Sequence, residues 1–179
     1  MPNELITASS RELATELTAY DEKMLSVFEY LGLPTNNILV KVDERRKVFK
    51  NIEDVLEPLS SETLETSTYI SKFLSAVSAG LFDAALNYLW DETVSQLRFR
   101  VSQYDIQYFF DLAVTSDKRT KLSTEDDLVK IDDSELIQGA KEIGLISDIG
   151  YRLLDNIKFM RNWASAAHPN QVELTGLQL

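Results

Sequence analysis

The chain has 179 residues, 44% of them hydrophobic, with a formal net charge of −11, one histidine and no cysteine. That length suits one well-packed domain better than two, and the missing cysteines exclude a disulfide framework or a thiolate zinc site; with one histidine a metal site would have to be made mostly of carboxylates, and neither metal nor cofactor is expected. The acidic balance excludes a protein that holds long nucleic acid over its whole surface.

Taken in chain order, the pattern is helix after helix. Ser9 or Ser10 caps a helix through Leu31, with Leu13, Leu17, Met24, Val27 and Phe28 on its apolar side and Gly32-Leu33-Pro34 at its end. This N-terminal helix, within residues 1–35, is expected to be peripheral. Ile38-Leu39-Val40 is a short strand-like or irregular entry to a basic helix from about Asp43 to Leu56, closed by Pro58. Around its start, Lys41, Arg45, Arg46, Lys47 and Lys50 form a local cationic group that suits a short or folded RNA; the safer assignment for any single lysine among them is a solvent-facing charge balanced by Asp43, Glu44, Glu53 and Asp54. Ser60 or Ser61 opens a helix to Ser78, ended by Gly80.

From Leu81 the chain reads helical towards Phe110, bent near Tyr104, with Leu86, Leu89, Trp90, Val94, Leu97 and Val101 on the apolar face. Residues 115–133 are dense in charge and hydroxyls and read as a surface loop with a short helix. Ser134 opens a helix to Ile143, ended by Gly144, and Ser147 or Asp148 caps one more long helix. Asn170-Gln171-Val172-Glu173 has capping-box spacing a few residues before Leu179. Either the domain is cut from a longer chain or a short helix packs on a partner. No apolar run approaches the ~18 residues of a membrane span, and Met1-Pro2-Asn3-Glu4 lacks signal-peptide features, so a cytoplasmic protein without a membrane partner is expected.

The single histidine, His168, lies seven residues after Arg161 and directly before Pro169. On a helix that step returns to within about 20° of the starting face. Pro169 places the helix end at or before His168, where the macrodipole and free carbonyls favour a protonated imidazole. An acid/base group aligned with an arginine fits chemistry on an anion; the bare spacing fits equally a histidine that decorates a helix end. Leu153, Ile157, Met160, Ala164 and Ala167 form an apolar stripe expected to face the core. A second stripe, about 100° around, carries Leu154, Lys158, Arg161, Ser165 and His168. A solvated flank accounts for Lys158 but gives no reason for the arginine and histidine to align.

Arg161-Asn162, then His168, near the end of a late long helix of an all-helical domain, resembles the signature of the HEPN superfamily: arginine, four to six residues, histidine, often with Asn after the arginine. The string from Arg161-Asn162 through Ala166-Ala167-His168-Pro169-Asn170 is similar to HEPN domains of prokaryotic defence and abortive-infection proteins. The resemblance runs from about the second helix to the end. It implies an all-α HEPN-like bundle and metal-independent endoribonuclease activity, in which a ribose 2′-hydroxyl attacks the neighbouring phosphorus to leave a 2′,3′-cyclic phosphate and a 5′-hydroxyl. His168 is then the general acid/base, Arg161 stabilises the phosphorane, and Asn162 orients the arginine or the phosphate. Lys158 and Ser165 are candidate substrate contacts. Such domains often place a polar or acidic residue of an earlier helix against the motif, which nominates Glu92, with Asp91 as competitor; either carboxylate is equally a helix flank meeting Arg98.

One histidine for a reaction that uses both an acid and a base points to a homodimer with a composite site built on the second stripe. The partners implied are RNA, a second copy, and an antitoxin or fused sensor that silences a toxin. The alternative is a non-catalytic helical interaction or nucleotide-binding module.

Overall fold

A computed structural model describes residues 10–164 and 174–179. It contains α1 (Ser10–Tyr30), α2 (Val42–Leu56), α3 (Ser61–Thr66), α4 (Thr68–Ser78), α5 (Phe82–Ser102), α6 (Ile106–Ala113), α7 (Ser116–Arg119), a 3-10 helix (Glu125–Lys130), α8 (Asp133–Glu142) and α9 (Asp148–Ala164). The fold is all-α, and no strand occurs among the described residues. The chain groups into two compact units, Met1–Leu89 with Ala164–Leu179 and Trp90–Trp163. Among the described residues no helix is long and apolar enough to cross a membrane.

Local caps set most boundaries, and two of them split elements that apolar periodicity joins. The single helix expected up to Ser78 is two, because Ser67 adopts extended backbone (ψ 106°) and its hydroxyl accepts the Ile70 N–H at 3.1 Å. That hydroxyl ends α3 and starts α4. In the same way α5 stops at Ser102, and Asp105 restarts the chain as α6 by accepting the N–H groups of Gln107 and Tyr108, both at 3.1 Å. The bend expected near Tyr104 is a break.

In the first unit a buried arginine organises the polypeptide. Arg45 is fully buried on α2. Its guanidinium grips the Asp21 carboxylate of α1 with both terminal nitrogens, donates from Nε to the Val40 carbonyl at 2.7 Å, and donates from Nη1 to the Ser78 carbonyl at 3.0 Å. Gly80 closes the far side with a φ of +72°, which favours glycine. A Cβ there would come within 2.9 Å of the guanidinium. Around this hub Val48, Ile52, Ile70, Phe73, Val77 and Phe82 form an apolar interior, each worth about 1.5–3 kcal/mol in transfer terms. Leu174 is buried, and the Gly176 N–H donates to Glu44 Oε2 at 2.8 Å. The Glu44 carboxyl is held below its usual range by Lys47 and by that N–H.

This placement divides the basic group: Arg45 is no surface cation, while Arg46 and Lys47 follow the reading of charges balanced by Asp43 and Glu44. Arg45 is interior, Arg46 pairs with Asp43 at 3.1 Å, and Lys47 pairs with Glu44 at 2.6 Å.

The second unit is built on the stripe Trp90, Val94, Leu97 and Val101 of α5, which meets Phe109, Phe110 and Ala113 of α6 and Leu136, Ile137 and Ala140 of α8. Gly139 allows the close approach of α6 and α8: a Cβ would lie 2.6 Å from that of Ala113 and 2.7 Å from the Phe109 ring. Residues 115–133, read as a surface loop with a short helix, hold α7 and the 3-10 helix and bury Leu122, Leu128 and Ile131 in this core. The turn between the two helices is locked by Asp127. Its carboxylate pairs with Lys130 and accepts the N–H groups of Ser123 (2.7 Å) and Thr124 (3.0 Å), and these partners, Lys130 foremost, hold it well below the usual carboxylate range.

Candidate functional site

Helix α9 carries the described part of the arginine–histidine motif. Its start is fixed by Ser147, whose hydroxyl accepts the Gly150 N–H at 3.1 Å, and by Asp148, paired with Lys141 at 3.0 Å. A carboxylate in the first turn complements the positive end of the helix. Arg161 and Asn162 sit in the last turns, and Arg161 Nη1 donates to Asn162 Oδ1 at 3.1 Å. Arg161 is half-buried and Asn162 exposed. Ser165 and His168 lie outside the described residues.

The rotation of α9 differs from the expected one. Tyr151, Leu154 and Ile157 pack against the core of the second unit, whereas Leu153 is 58% exposed. The stripe expected to be polar and outward therefore turns inward at Leu154. Lys158 follows it: its ammonium donates to Ser134 of α8 at 2.9 Å and pairs with Asp155 at 2.9 Å. The reason is that leucines stand at both 153 and 154, so two phases about 100° apart are each apolar enough. Tyr151, which packs on the core beside Leu154, decides between them. Leu154 and Lys158 of that stripe are thus engaged inside the chain's own second unit.

On α5, Glu92 accepts a hydrogen bond from Gln96 Nε2 at 2.9 Å, and Asp91 is half-buried. A polar junction that the sequence reading missed lies at the start of α8. The Trp90 indole N–H donates to Asp133 Oδ2 at 2.7 Å, Arg98 reaches Asp133 Oδ1 at 3.9 Å, and the neighbouring Ser134 receives Lys158. Residues of α5, α8 and α9 meet there. Arg98 Nε is buried without an acceptor among the described residues. The available signal was Asp132-Asp133-Ser134-Glu135, a capping box in which Asp132 caps the helix and Asp133 is left to face α5. Among the described residues no group of three or more His, Cys, Asp or Glu side chains is placed to hold a metal ion.

Comparison of the chain with protein-family models, with curated proteins and with solved structures gives no match.

Proposed function

We propose that this protein is a metal-independent endoribonuclease of the HEPN type, acting as a toxin or anti-phage effector of the abortive-infection kind. The observation that carries the reading is the pairing of Arg161 with Asn162 at 3.1 Å in the last turns of α9, a late long helix of an all-α chain. A side-chain carbonyl that accepts from one guanidinium nitrogen orients the planar fork, the geometry that recognises a phosphate. In this reading His168 takes the proton of the ribose 2′-hydroxyl, the new O–P bond forms, Arg161 bears the charge of the phosphorane, and the P–O5′ bond breaks. The 5′-oxygen is then protonated by solvent or by a second acid, leaving a 2′,3′-cyclic phosphate and a 5′-hydroxyl. Lys158, engaged by Ser134 and Asp155, serves as a brace for the helix one turn before Arg161.

A second reading, a non-catalytic helical interaction module, is favoured by the apolar side chains that α9 exposes to solvent at Ile149, Leu153 and Phe159. The two separate in one incubation of the purified chain with total cellular RNA in chelator, beside a His168→Ala control. The nuclease reading expects cleavage by the wild-type protein alone. Intact RNA in both tubes, with no release by a partner or trigger, supports the module.

A further inference from the structure

The outward face of α9 has a pattern that two-fold symmetry would use. Ile149 is 74% exposed, Leu153 58%, Phe159 55% and Trp163 36%, and the rings of Phe159 and Trp163 lie 5.6 Å apart. Asn156 is exposed between them, and Arg152 and Met160 complete the row. Steps of three and four keep these residues on one side of the helix. The row is symmetric about its middle: Ile149 and Trp163 are equidistant from Asn156, and so are Leu153 and Phe159, and Arg152 and Met160.

We infer that α9 pairs antiparallel with the α9 of a second copy of this chain, about a two-fold axis at Asn156. In that register Ile149 lies opposite the second copy's Trp163, and Leu153 opposite its Phe159, so small aliphatic groups meet large rings and no ring meets its own image. Asn156 meets itself, and an amide carries both donor and acceptor, so the self-contact is satisfiable. The electrostatics agree with a second copy. The chain carries a net charge of −11, yet the row holds no carboxylate, and its one charge, Arg152, falls opposite Met160. A face rich in acids would repel its own image.

The area sets the strength. Large side chains present about 150–250 Å² each when free, so the exposed fractions of the four apolar residues come to roughly 400 Å² a copy. A standard interface buries about 800 Å² per partner. The contact is therefore a reversible, concentration-dependent dimer. Antiparallel pairing also sends the two Arg161 residues to opposite sides of the two-fold axis, about 15 Å apart along the helix direction at 1.5 Å per residue. The dimer then carries one motif per chain at separate places, and the inference stands whether or not the chain cleaves RNA.

The chain has no cysteine, so a single introduced one reports the axis directly. Asn156→Cys in the full chain is oxidised mildly and compared with Leu177→Cys, an exposed position elsewhere. A disulfide needs Cα atoms about 4.4–6.8 Å apart, a separation that facing residues of two packed helices reach. The expected result is a cross-linked dimer for Asn156→Cys and little for Leu177→Cys. Sedimentation of the uncrosslinked protein should show a monomer–dimer equilibrium that Leu153→Glu weakens about tenfold or more with helicity unchanged by circular dichroism. A wild-type protein that stays monomeric at high concentration overturns the inference, as does cross-linking equal at both positions or a dimer indifferent to Leu153→Glu.

Discussion

Arg45 and Arg46 are neighbours on α2 with the same charge, yet they should differ widely in what they contribute to the stability of their unit. Replacing Arg45 by Leu strands the Asp21 carboxylate, 17% exposed, and removes the donors of the Val40 and Ser78 carbonyls. Breaking a buried pair from one side costs about 3–5 kcal/mol. Each orphaned carbonyl is worth about 1–3 kcal/mol, but the groups share one network and do not add. A net loss of about 4 kcal/mol is expected, against a typical total of about 5–15 kcal/mol. Arg46→Ala removes a solvent-screened pair with Asp43, a kind of contact worth less than about 0.5 kcal/mol. With a urea slope of about 2 kcal/mol per M, the midpoint followed by far-UV circular dichroism should fall by about 2 M for Arg45→Leu and by less than about 0.3 M for Arg46→Ala. Removing both ends, Arg45→Leu with Asp21→Leu, should recover part of the loss, because no charge is then left alone. Equal shifts for Arg45→Leu and Arg46→Ala would refute the hub, and so would a double variant no better than Arg45→Leu.

Gly139→Ala should destabilise by about 1–3 kcal/mol through overpacking, although alanine is the better helix former by about 1 kcal/mol, because its Cβ would sit 2.6 Å from Ala113; a raised melting temperature would show that α6 and α8 have room. The Asp127 carboxyl is held below its ordinary value of 3.8, so its contribution is present above that pH and is lost as pH falls towards the lower folded value. Acid titration of Asp127→Asn should accordingly give a flatter loss of stability below about pH 4 than the wild type, and superimposable curves would remove Asp127 from the acid response. Iodide should quench Trp163, 36% exposed, and leave Trp90, 2% exposed, so Trp163→Phe protein should resist quenching; unchanged quenching in that variant would contradict the described placement of the two rings.

The helical class was legible because it rests on repeated local signals: a cap such as Ser60, and stripes such as Trp90, Val94, Leu97 and Val101. What escaped depends on contacts remote in sequence. Arg45 reads as one cation among several until Asp21, Val40 and Ser78 are brought around it. Leu122, Leu128 and Ile131 follow no helical period, because a short helix, a turn and a 3-10 helix deliver them to the core. The rotation of α9 was undecidable locally, since Leu153 and Leu154 offer two phases and only the core selects Leu154. Of the motif, Arg161 and Asn162 are adjacent in sequence and bonded in the fold. The capping box at Asp132 marks where α8 starts, but that Asp133 and Ser134 meet Trp90 and Lys158 there depends on contacts remote in sequence.

The function is tested most directly by the ends left on a defined RNA after incubation with the purified protein in EDTA. The account predicts 2′,3′-cyclic phosphate and 5′-hydroxyl ends, with a rate that falls by about 10²–10⁴-fold in His168→Ala and also falls in Arg161→Ala, both variants keeping wild-type helicity. Cleavage at the wild-type rate by His168→Ala, or cleavage that appears only with magnesium or manganese, would contradict it.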